Sequence, residues 1–350
     1  MSGGRASSLV IQTSFLGDTV LTTPLIEELA RRGAVDVLAT PAAAALLRGN
    51  PHIRELFTYD KRGKDAGVSG VWRMAGTLRR HYENVTSATE RRTAYLAQGS
   101  VRSAALALLA GFHERVGFAT ATGRALYTRR VPHRSDRHHA ERLWRLAFDG
   151  EPTGPMPSPA LYPGERERSA VDALLAATHG QAAGDRPLVV LAPGSVWQTK
   201  RWPYYPELAR RLASSYRLAI VGGAEDAPLA RAILHELGHA ATAPGAVDAT
   251  GKLSLLGSAE LIGRSERLVT NDSLPQHIAS AMGTPTITLF GPTVPAFGFG
   301  PLTPQSIALG HDSLSCRPCH HHGPRRCPLG HWRCMKELTV ERVAHAVARD

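Results

Sequence analysis

The sequence is poor in aromatic residues and has no long apolar run. Aromatic residues make up 6% of its 350 residues, and no basic run has aromatic residues interleaved, which argues against a platform for single-stranded nucleic acid. No segment approaches the roughly 18 consecutive apolar residues that a membrane-spanning helix needs. The first residues also lack the apolar core of a signal peptide. We therefore expect a cytoplasmic protein without a nucleic-acid partner.

Acidic residues are also in deficit, because 30 Asp and Glu stand against 41 Lys and Arg, a formal net charge of +11. An excess of this sign favours an anionic partner, such as a phosphorylated substrate or an anionic membrane surface. The sign of the charge alone does not choose among nucleic acid, a membrane surface and a phosphorylated substrate, and peripheral contact with the anionic inner membrane is one expectation. The alternative is a solvated basic surface that reflects compositional bias alone.

Short apolar segments alternate along the chain with segments of helical periodicity. The first strand SLVIQT precedes the helix FLGDTVLTTPLIEELARRG, and later the helix VSGVWRMAGTLRRHY precedes a predicted strand ENVTSAT. The alternation restarts at PLVVLAPGS and continues to TPTITLFGPT. Strands that alternate with helices of this length predict parallel sheets covered on both faces. The fold class is therefore α/β.

A segment rich in proline and glycine at 149–165 separates the two series of elements. It predicts a first Rossmann-like domain at 1–160 and a second at 161–335. The cysteine-rich segment 316–334 belongs to the second domain. Residues 336–350 are expected to form a helix that packs back across the domain boundary.

The turn TSFLGD places Asp18 where a strand ends and a helix opens. Ligands bind at this edge of a parallel sheet, and a carboxylate there can take a proton from a hydroxyl group. The alternative is that Asp18 caps a helix beginning at Thr19. This turn and the equivalent turn APGSVWQTK lack G-x-G-x-x-G, which counts against a nicotinamide dehydrogenase.

The segment LAPGSVWQTKRWP brings two hydroxyl side chains, Ser195 and Thr199, close in sequence to Lys200. Together they suit a phosphate group. The alternative makes Lys200 and Arg201 surface charges and Trp202 a core anchor.

The segment RLVTNDSLPQHIASAMG runs from a strand through Asp272 and Ser273 into a helix that carries His277. The N-terminus of that helix predicts an anion site for a pyrophosphate, bordered by the GPT turn that ends at Thr293. Alternatively, Asp272 is an N-cap and His277 a buried histidine.

In their order and spacing these motifs resemble the ADP-heptose:lipopolysaccharide heptosyltransferases of glycosyltransferase family 9, within them the heptosyltransferase II branch. The resemblance rests on TSFLGDTVLTTPL, DKRGKDAG, APGSVWQTKRWP, VGGAED, TNDSLPQHIASAMGTPTITLFGPT and PLGHWRCM. It implies a GT-B fold, with two Rossmann-like domains facing a cleft. It also implies inverting transfer of L-glycero-D-manno-heptose from ADP-heptose to an inner-core lipopolysaccharide sugar, with no cofactor required.

The resemblance also implies roles for individual residues. Asp18 is similar to the family's catalytic base, and Lys200 to the residue that neutralises the nucleotide diphosphate. Asp272 looks like the acid that fixes the heptose, and Glu225 like the acid that binds the ribose. The expected donor site comprises Ser195, Thr199, Lys200, Glu225, Asp272, Ser273, His277 and Thr293. Leu274 departs from the glycine that the family often has beside the diphosphate.

The first domain is expected to hold the acceptor, through the basic residues Lys61, Arg62, Lys64 and Arg102. They suit the phosphates and carboxylates of a lipopolysaccharide core, and the alternative is a solvated loop. The family's acceptor segment appears as AQGSVRSA, which keeps Arg102 and has Gln98 in place of a histidine.

The only cysteines are Cys316, Cys319, Cys327 and Cys334. Their spacing, with histidines interleaved, predicts either a structural zinc site, reduced thiols packed in a loop, or a reversible disulfide. A closed four-ligand zinc site would leave no open position for catalysis.

Two other functions compete with heptosyl transfer. One is transfer of a different sugar from another nucleotide donor by the same fold. The other, of a different class, is a non-catalytic zinc-bearing module that binds an anionic glycolipid or nucleic acid.

Overall fold

The computed structural model describes residues 6–86, 90–178, 186–238 and 246–349. The chain divides into two units, Met1–Ala160 and Leu161–Asp350. Over these residues, each unit contains one six-stranded sheet in which every neighbouring pair of strands is parallel. The predicted α/β class with two Rossmann-like sheets is confirmed.

The first unit orders its strands β3-β2-β1-β4-β5-β6. The strands are β1 (Ala6–Gln12), β2 (Gly33–Ala39), β3 (Glu55–Thr58), β4 (Arg92–Leu96), β5 (Glu114–Phe118) and β6 (Arg129–Val131). The helices are α1 (Leu16–Leu21), α2 (Thr23–Ala30), α3 (Pro41–Leu47), α4 (Gly67–Val85), α5 (Val101–Leu109) and α6 (His139–Trp144).

One face of this sheet packs against α4 and α5 through a core that includes Leu9, Leu38, Leu78 and Tyr82. These side chains come from alternating strand positions and from one face of α4, which is why the apolar residues of that helix recur at helical spacing.

Two local predictions for the first unit are wrong. The segment ENVTSAT does not form the fourth strand, because α4 continues to Val85 and β4 begins at Arg92, with 87–89 outside the described residues. Tyr82 is buried in the core, and this packing keeps the last turn of α4 helical although the helix ends in the β-branched residue Val85. The helix predicted after β1 is two helices joined at Thr22, since Pro24 lacks the N–H that would continue the first one.

The second unit orders its strands β12-β11-β10-β7-β8-β9. The strands are β7 (Leu188–Ala192), β8 (Arg217–Ile220), β9 (Val247–Asp248), β10 (Arg267–Asn271), β11 (Thr286–Phe290) and β12 (Ile307–Gly310). The helices are α7 (Glu165–Thr178), α8 (Tyr205–Leu212), α9 (Ala227–Gly238), α10 (Leu255–Gly263), α11 (Leu274–Met282), α12 (Arg333–Lys336) and α13 (Val340–Val347). The last helix, α13, packs on α8 within this unit.

Read from β9 to β12, the second sheet repeats the order of the first. In both, the order reverses direction between the first and fourth strands of the unit, β1 and β4 in one and β7 and β10 in the other. Such a reversal opens a crevice at the carboxyl ends of those strands, where open α/β sheets bind ligands. Within the described ranges, no helix has both the length and the apolarity to cross a bilayer.

Candidate active site

Lys200 and Asp272 meet at the crevice of the second sheet. Lys200 ends a 3-10 helix, Gln198–Lys200, in the loop after β7, and Asp272 directly follows β10. The Lys200 ammonium lies 2.6 Å from Asp272 Oδ2 and 3.2 Å from the Asp272 main-chain oxygen. Both residues are less than 10% exposed. The alternative of Lys200 as a surface charge is therefore wrong.

Thr293 joins this pair from the loop after β11. Its hydroxyl donates to Asp272 Oδ2 at 2.6 Å, so one carboxylate oxygen contacts both an ammonium and a hydroxyl group. Asp272 is not an N-cap, since the N-cap of α11 is Ser273, whose side chain makes no capping hydrogen bond. The structure thus brings together Lys200, Asp272 and Thr293 from three separate loops.

Asn271, the last residue of β10, is a structural partner that the sequence reasoning did not identify. It is fully buried, its amide nitrogen donates to the Pro193 oxygen at 2.8 Å, and its amide oxygen accepts from the Trp202 N–H at 3.0 Å. Asn271 therefore fixes both ends of the loop that carries Lys200. The Trp202 indole N–H donates to the Leu338 oxygen at 2.8 Å, and its ring is buried. This agrees with the alternative prediction that Trp202 anchors the core.

The first turn of α11 borders the same crevice. Ser273 Oγ lies 3.4 Å from the Gly194 oxygen in the loop after β7. Pro275 removes one main-chain donor from this turn, and Leu274 occupies the position before it. His277 is buried, and its ring packs edge-on to Phe299 with centroids 6.3 Å apart.

The remaining predicted donor residues take different positions around this edge. Thr199 is buried and donates its hydroxyl to the Pro324 oxygen at 2.5 Å, whereas Ser195 Oγ accepts from the Trp197 N–H at 3.4 Å. Glu225 is exposed in a 3-10 helix after β8.

Asp226, the neighbour of Glu225, was not identified from the sequence. Its Oδ2 accepts from the Gly223 N–H at 3.1 Å, and burial raises the pKa of its carboxyl. A Cβ at Gly194 would lie 2.3 Å from the same oxygen, so glycine is needed for this approach of the loops after β7 and β8.

The cysteine-rich segment 316–334 lies against the loops of this site. The Trp332 indole N–H donates to the Thr199 oxygen at 2.8 Å, and the Cys319 N–H donates to the Pro292 oxygen at 3.0 Å. All four cysteines are free, and Cys334 is buried. No cluster of His, Cys, Asp or Glu in the described part of the chain is arranged to hold a metal ion. The zinc site therefore stays a prediction that this geometry does not support.

Asp18 lies in the first turn of α1, which begins at Leu16 with Phe15 as its N-cap. The helix predicted to begin at Thr19, with Asp18 as its cap, therefore starts earlier. The Asp18 carboxylate accepts hydrogen bonds from the Ser14 side chain and the Phe15 main chain. Burial raises the pKa of this carboxyl, and these two hydrogen bonds oppose the rise.

His139, at the start of α6, faces Asp18, with Nε2 3.7 Å from Oδ1. Sequence reasoning missed this residue because it lies more than a hundred positions away in a segment without a recognised motif. A protonated imidazole at this distance would favour the ionised carboxylate.

The basic residues predicted for the acceptor lie at the carboxyl edge of the first sheet. Lys61 donates to the Thr13 oxygen at 2.6 Å, and Arg102 donates to the Lys61 oxygen at 3.4 Å, so the loops after β1 and β3 meet the first turn of α5 there. Burial lowers the pKa of Lys61, and the charges of Arg62 and Arg102 add to this effect. Arg62 and Lys64 are exposed in the turn that follows β3.

Comparison with known proteins gives matches over most of this chain. The family model described as glycosyltransferase family 9 (heptosyltransferase) matches residues 87–332. Over 303 residues the chain is 28% identical to lipopolysaccharide heptosyltransferase 2 of Escherichia coli K12, which covers 83% of this chain and 84% of that protein.

Two solved structures share the fold over nearly the whole chain. A family 9 glycosyltransferase from Veillonella parvula superposes with a TM-score of 0.82 at 22% identity, covering 99% of this chain and 97% of the other. The E. coli ADP-heptose lipopolysaccharide heptosyltransferase II gives a TM-score of 0.76 at 25% identity, with 97% of each chain covered. Since the family model spans more than half of the sequence, the chain belongs to glycosyltransferase family 9, the heptosyltransferases.

Proposed function

We propose that this enzyme transfers L-glycero-D-manno-heptose from ADP-heptose to a sugar of the lipopolysaccharide inner core. The observation that carries the proposal is the buried cluster of Lys200, Asp272 and Thr293 at the crevice of the second sheet. A cation fixed there, beside the N-terminus of α11, suits a nucleotide diphosphate. The E. coli relative with 25% identity is an ADP-heptose transferase, which supports ADP as the nucleotide.

The leaving diphosphate gains negative charge as the glycosidic bond breaks. Lys200 and the first turn of α11 would stabilise that charge more in the transition state than in the ground state. A contact of this kind contributes about 2–4 kcal/mol to the lowering of the barrier. Asp272 orients the Lys200 ammonium through their 2.6 Å contact and is our candidate to accept a hydrogen bond from a heptose hydroxyl. Glu225, exposed after β8, is our candidate for the ribose hydroxyls.

Asp18 is our candidate for the catalytic base in the first unit. Its raised pKa makes the ionised carboxylate a better proton acceptor than an ordinary aspartate. The deprotonated acceptor hydroxyl would attack the anomeric carbon from the face opposite the diphosphate. Configuration inverts in this single displacement, and no covalent enzyme intermediate forms.

The acceptor is expected at the edge of the first sheet that carries Lys61, Arg62, Lys64 and Arg102. Exposed apolar side chains accompany these basic groups: Phe15 is 59% exposed, Val68 73% and Trp72 58%. Aromatic and basic residues together favour the interface of an anionic bilayer. We therefore propose peripheral contact with the cytoplasmic face of the inner membrane, where a lipid-linked acceptor would be met.

A panel of nucleotide sugars tests the donor. The purified protein is heated with ADP-, UDP- and GDP-sugars, and a ligand present at about 100 times its Kd should add roughly 2.7 kcal/mol to the free energy of unfolding. We expect only the ADP-sugars to raise Tm, with ADP-heptose effective at the lowest concentration. A rise in Tm with UDP- or GDP-sugars alone would reject the ADP-heptose assignment and support the other-donor alternative.

A further inference from the structure

Arg317, in the cysteine-rich segment, is bound by main-chain carbonyl oxygens. Its Nε donates to the Gly291 oxygen at 2.5 Å, and its Nη2 donates to the Phe290 oxygen at 2.8 Å and to the Thr293 oxygen at 3.1 Å. Nη1 donates to the His311 oxygen. One guanidinium thus holds the end of β11 and the loop that follows it.

The packing around Arg317 leaves room for this arrangement. A Cβ at Gly310 would lie 2.7 Å from Arg317 Nη2, so the end of β12 requires glycine for the guanidinium to reach β11. The planar fork of an arginine can donate to several oxygens at once, whereas a lysine ammonium is a compact point charge and cannot reproduce this set.

The loop that Arg317 holds carries Thr293. The Thr293 hydroxyl is 2.6 Å from Asp272 Oδ2, and the same oxygen is 2.6 Å from the Lys200 ammonium. A continuous series of polar contacts therefore runs from Arg317 through Thr293 and Asp272 to Lys200. All of these contacts lie within the second unit.

We propose that Arg317 is a positioning residue for the donor site. It fixes the main chain at Thr293, so that the Thr293 hydroxyl orients Asp272 and Asp272 in turn orients Lys200. The inference rests on the proposed function, because it takes Lys200 and Asp272 as contacts of the nucleotide sugar. Arg317 itself touches neither the donor nor the reacting atoms in this role.

Three variants test the role of Arg317: Arg317→Lys, Thr293→Val, which keeps the shape of the side chain without its hydroxyl, and the double variant. We expect Arg317→Lys to raise the KM for ADP-heptose and the Kd for ADP about tenfold, as loss of one hydrogen bond to a charged group does. The acceptor KM should stay unchanged. Because both residues act through one series of contacts, the double variant should lose little more than either single variant.

Arg333→Ala is the matched control, since Arg333 is an exposed arginine of the same segment that pairs with Glu337. It should leave ADP affinity and both KM values unchanged. The proposal is overturned if folded Arg317→Lys binds ADP as the unchanged protein does, or if the effects of Arg317→Lys and Thr293→Val simply add. Failure of the unchanged protein to bind ADP at all would reject the proposed function instead.

Discussion

Lys200 and Asp272 form a nearly buried ion pair, with Nζ and Oδ2 2.6 Å apart and each side chain 10% exposed. Taking two such charges out of water is costly, and the cost is offset only when both partners are present with good geometry. The same two side chains therefore affect both the stability of the second unit and the site that we assign to the diphosphate.

Lys200→Ala should lower both activity and stability. Loss of a transition-state contact predicts a decrease in kcat/KM of about 10²–10³. The uncompensated Asp272 carboxylate should reduce the free energy of unfolding by about 3–5 kcal/mol. Initial rates and denaturant unfolding measure the two effects.

The control for Lys200→Ala is Lys252→Ala, because the Lys252 side chain is 55% exposed and 3.9 Å from Asp248. It should change neither quantity. If Lys200→Ala unfolds as the unchanged protein does, the buried pair contributes nothing to stability, and if its kcat/KM is also unchanged, the diphosphate assignment is wrong.

Asp18→Asn should abolish turnover and leave donor binding intact. An amide cannot accept the proton of the acceptor hydroxyl, so ADP release should fall to background while the ADP-heptose shift in Tm persists. The raised pKa also places the acidic limb of the rate profile above the ordinary aspartate value of 3.8. An assay of ADP release between pH 4 and 9, at about one-unit steps, measures the turnover of the variant and the acidic limb of the unchanged protein.

Although Asp18→Asn should abolish turnover, it should not lower the stability of the protein. The folded protein binds the Asp18 proton more tightly than the unfolded chain does, so this group makes stability fall as pH rises from 3.8 through the raised folded pKa. Asn cannot ionise, and Asp18→Asn should therefore be at least as stable as the unchanged protein at neutral pH. Asp149→Asn, at a residue whose side chain is 90% exposed, serves as the control for both properties. Retained turnover in Asp18→Asn would remove Asp18 as the base.

Trp72→Ala should weaken binding to anionic vesicles. The Trp72 side chain is 58% exposed on α4, one helical turn from the exposed Val68, and basic side chains lie near it in sequence. Loss of an indole from the bilayer interface predicts about a tenfold weaker partition, and added salt should weaken binding further. Co-sedimentation with phosphatidylglycerol and phosphatidylcholine vesicles measures it.

Val196→Ala is the control for vesicle binding, since Val196 is 87% exposed in the second unit. Equal binding to both kinds of vesicle, or equal binding by Trp72→Ala and the unchanged protein, would contradict the proposed membrane contact.

Cys334 should be the slowest of the four cysteines to react with a thiol reagent. It is 5% exposed, and burial raises the pKa of its thiol to about 11, so little thiolate forms near pH 8. Cys319 is exposed and should be labelled first, although burial also raises the pKa of its thiol. Timed labelling followed by mass spectrometry gives the order.

Labelling also separates the alternatives for the cysteine-rich segment. Free thiols should react to the same extent with and without a chelator, whereas bound zinc would protect the cysteines until the chelator removes it. Equal rates for Cys334 and Cys319 would contradict the packing described for Cys334.

Much of the fold follows from local patterns. The continuous apolar run of β7 and the helical spacing in α4 predict their elements directly, and the loops that hold Lys200, Asp272 and Thr293 are recognisable as strand ends. The prediction of a strand at ENVTSAT was wrong because its β-branched residues end a helix, α4, whose earlier turns are buried. Tertiary packing, rather than the local sequence, decided between helix and strand in this segment.

The contacts within the site are not local. Lys200 and Asp272 are 72 positions apart and meet because β7 and β10 are neighbours in the sheet, an order that residue spacing does not specify. The hydrogen bonds of Arg317 depend in the same way on β11 and β12 lying side by side. His139 reaches Asp18 only because α6 packs against α1.

The repeated strand order gives the two halves of the chain equivalent positions for different chemistry. The segment that follows the first strand carries Asp18, in the first turn of α1, in one half and Lys200 in the other. Each half has its own core, so we expect mutations in one set of loops to leave the other sheet intact. If the proposed assignment holds, the architecture is in this sense modular: acceptor preference could diverge through the loops of the first half without any change to nucleotide recognition in the second.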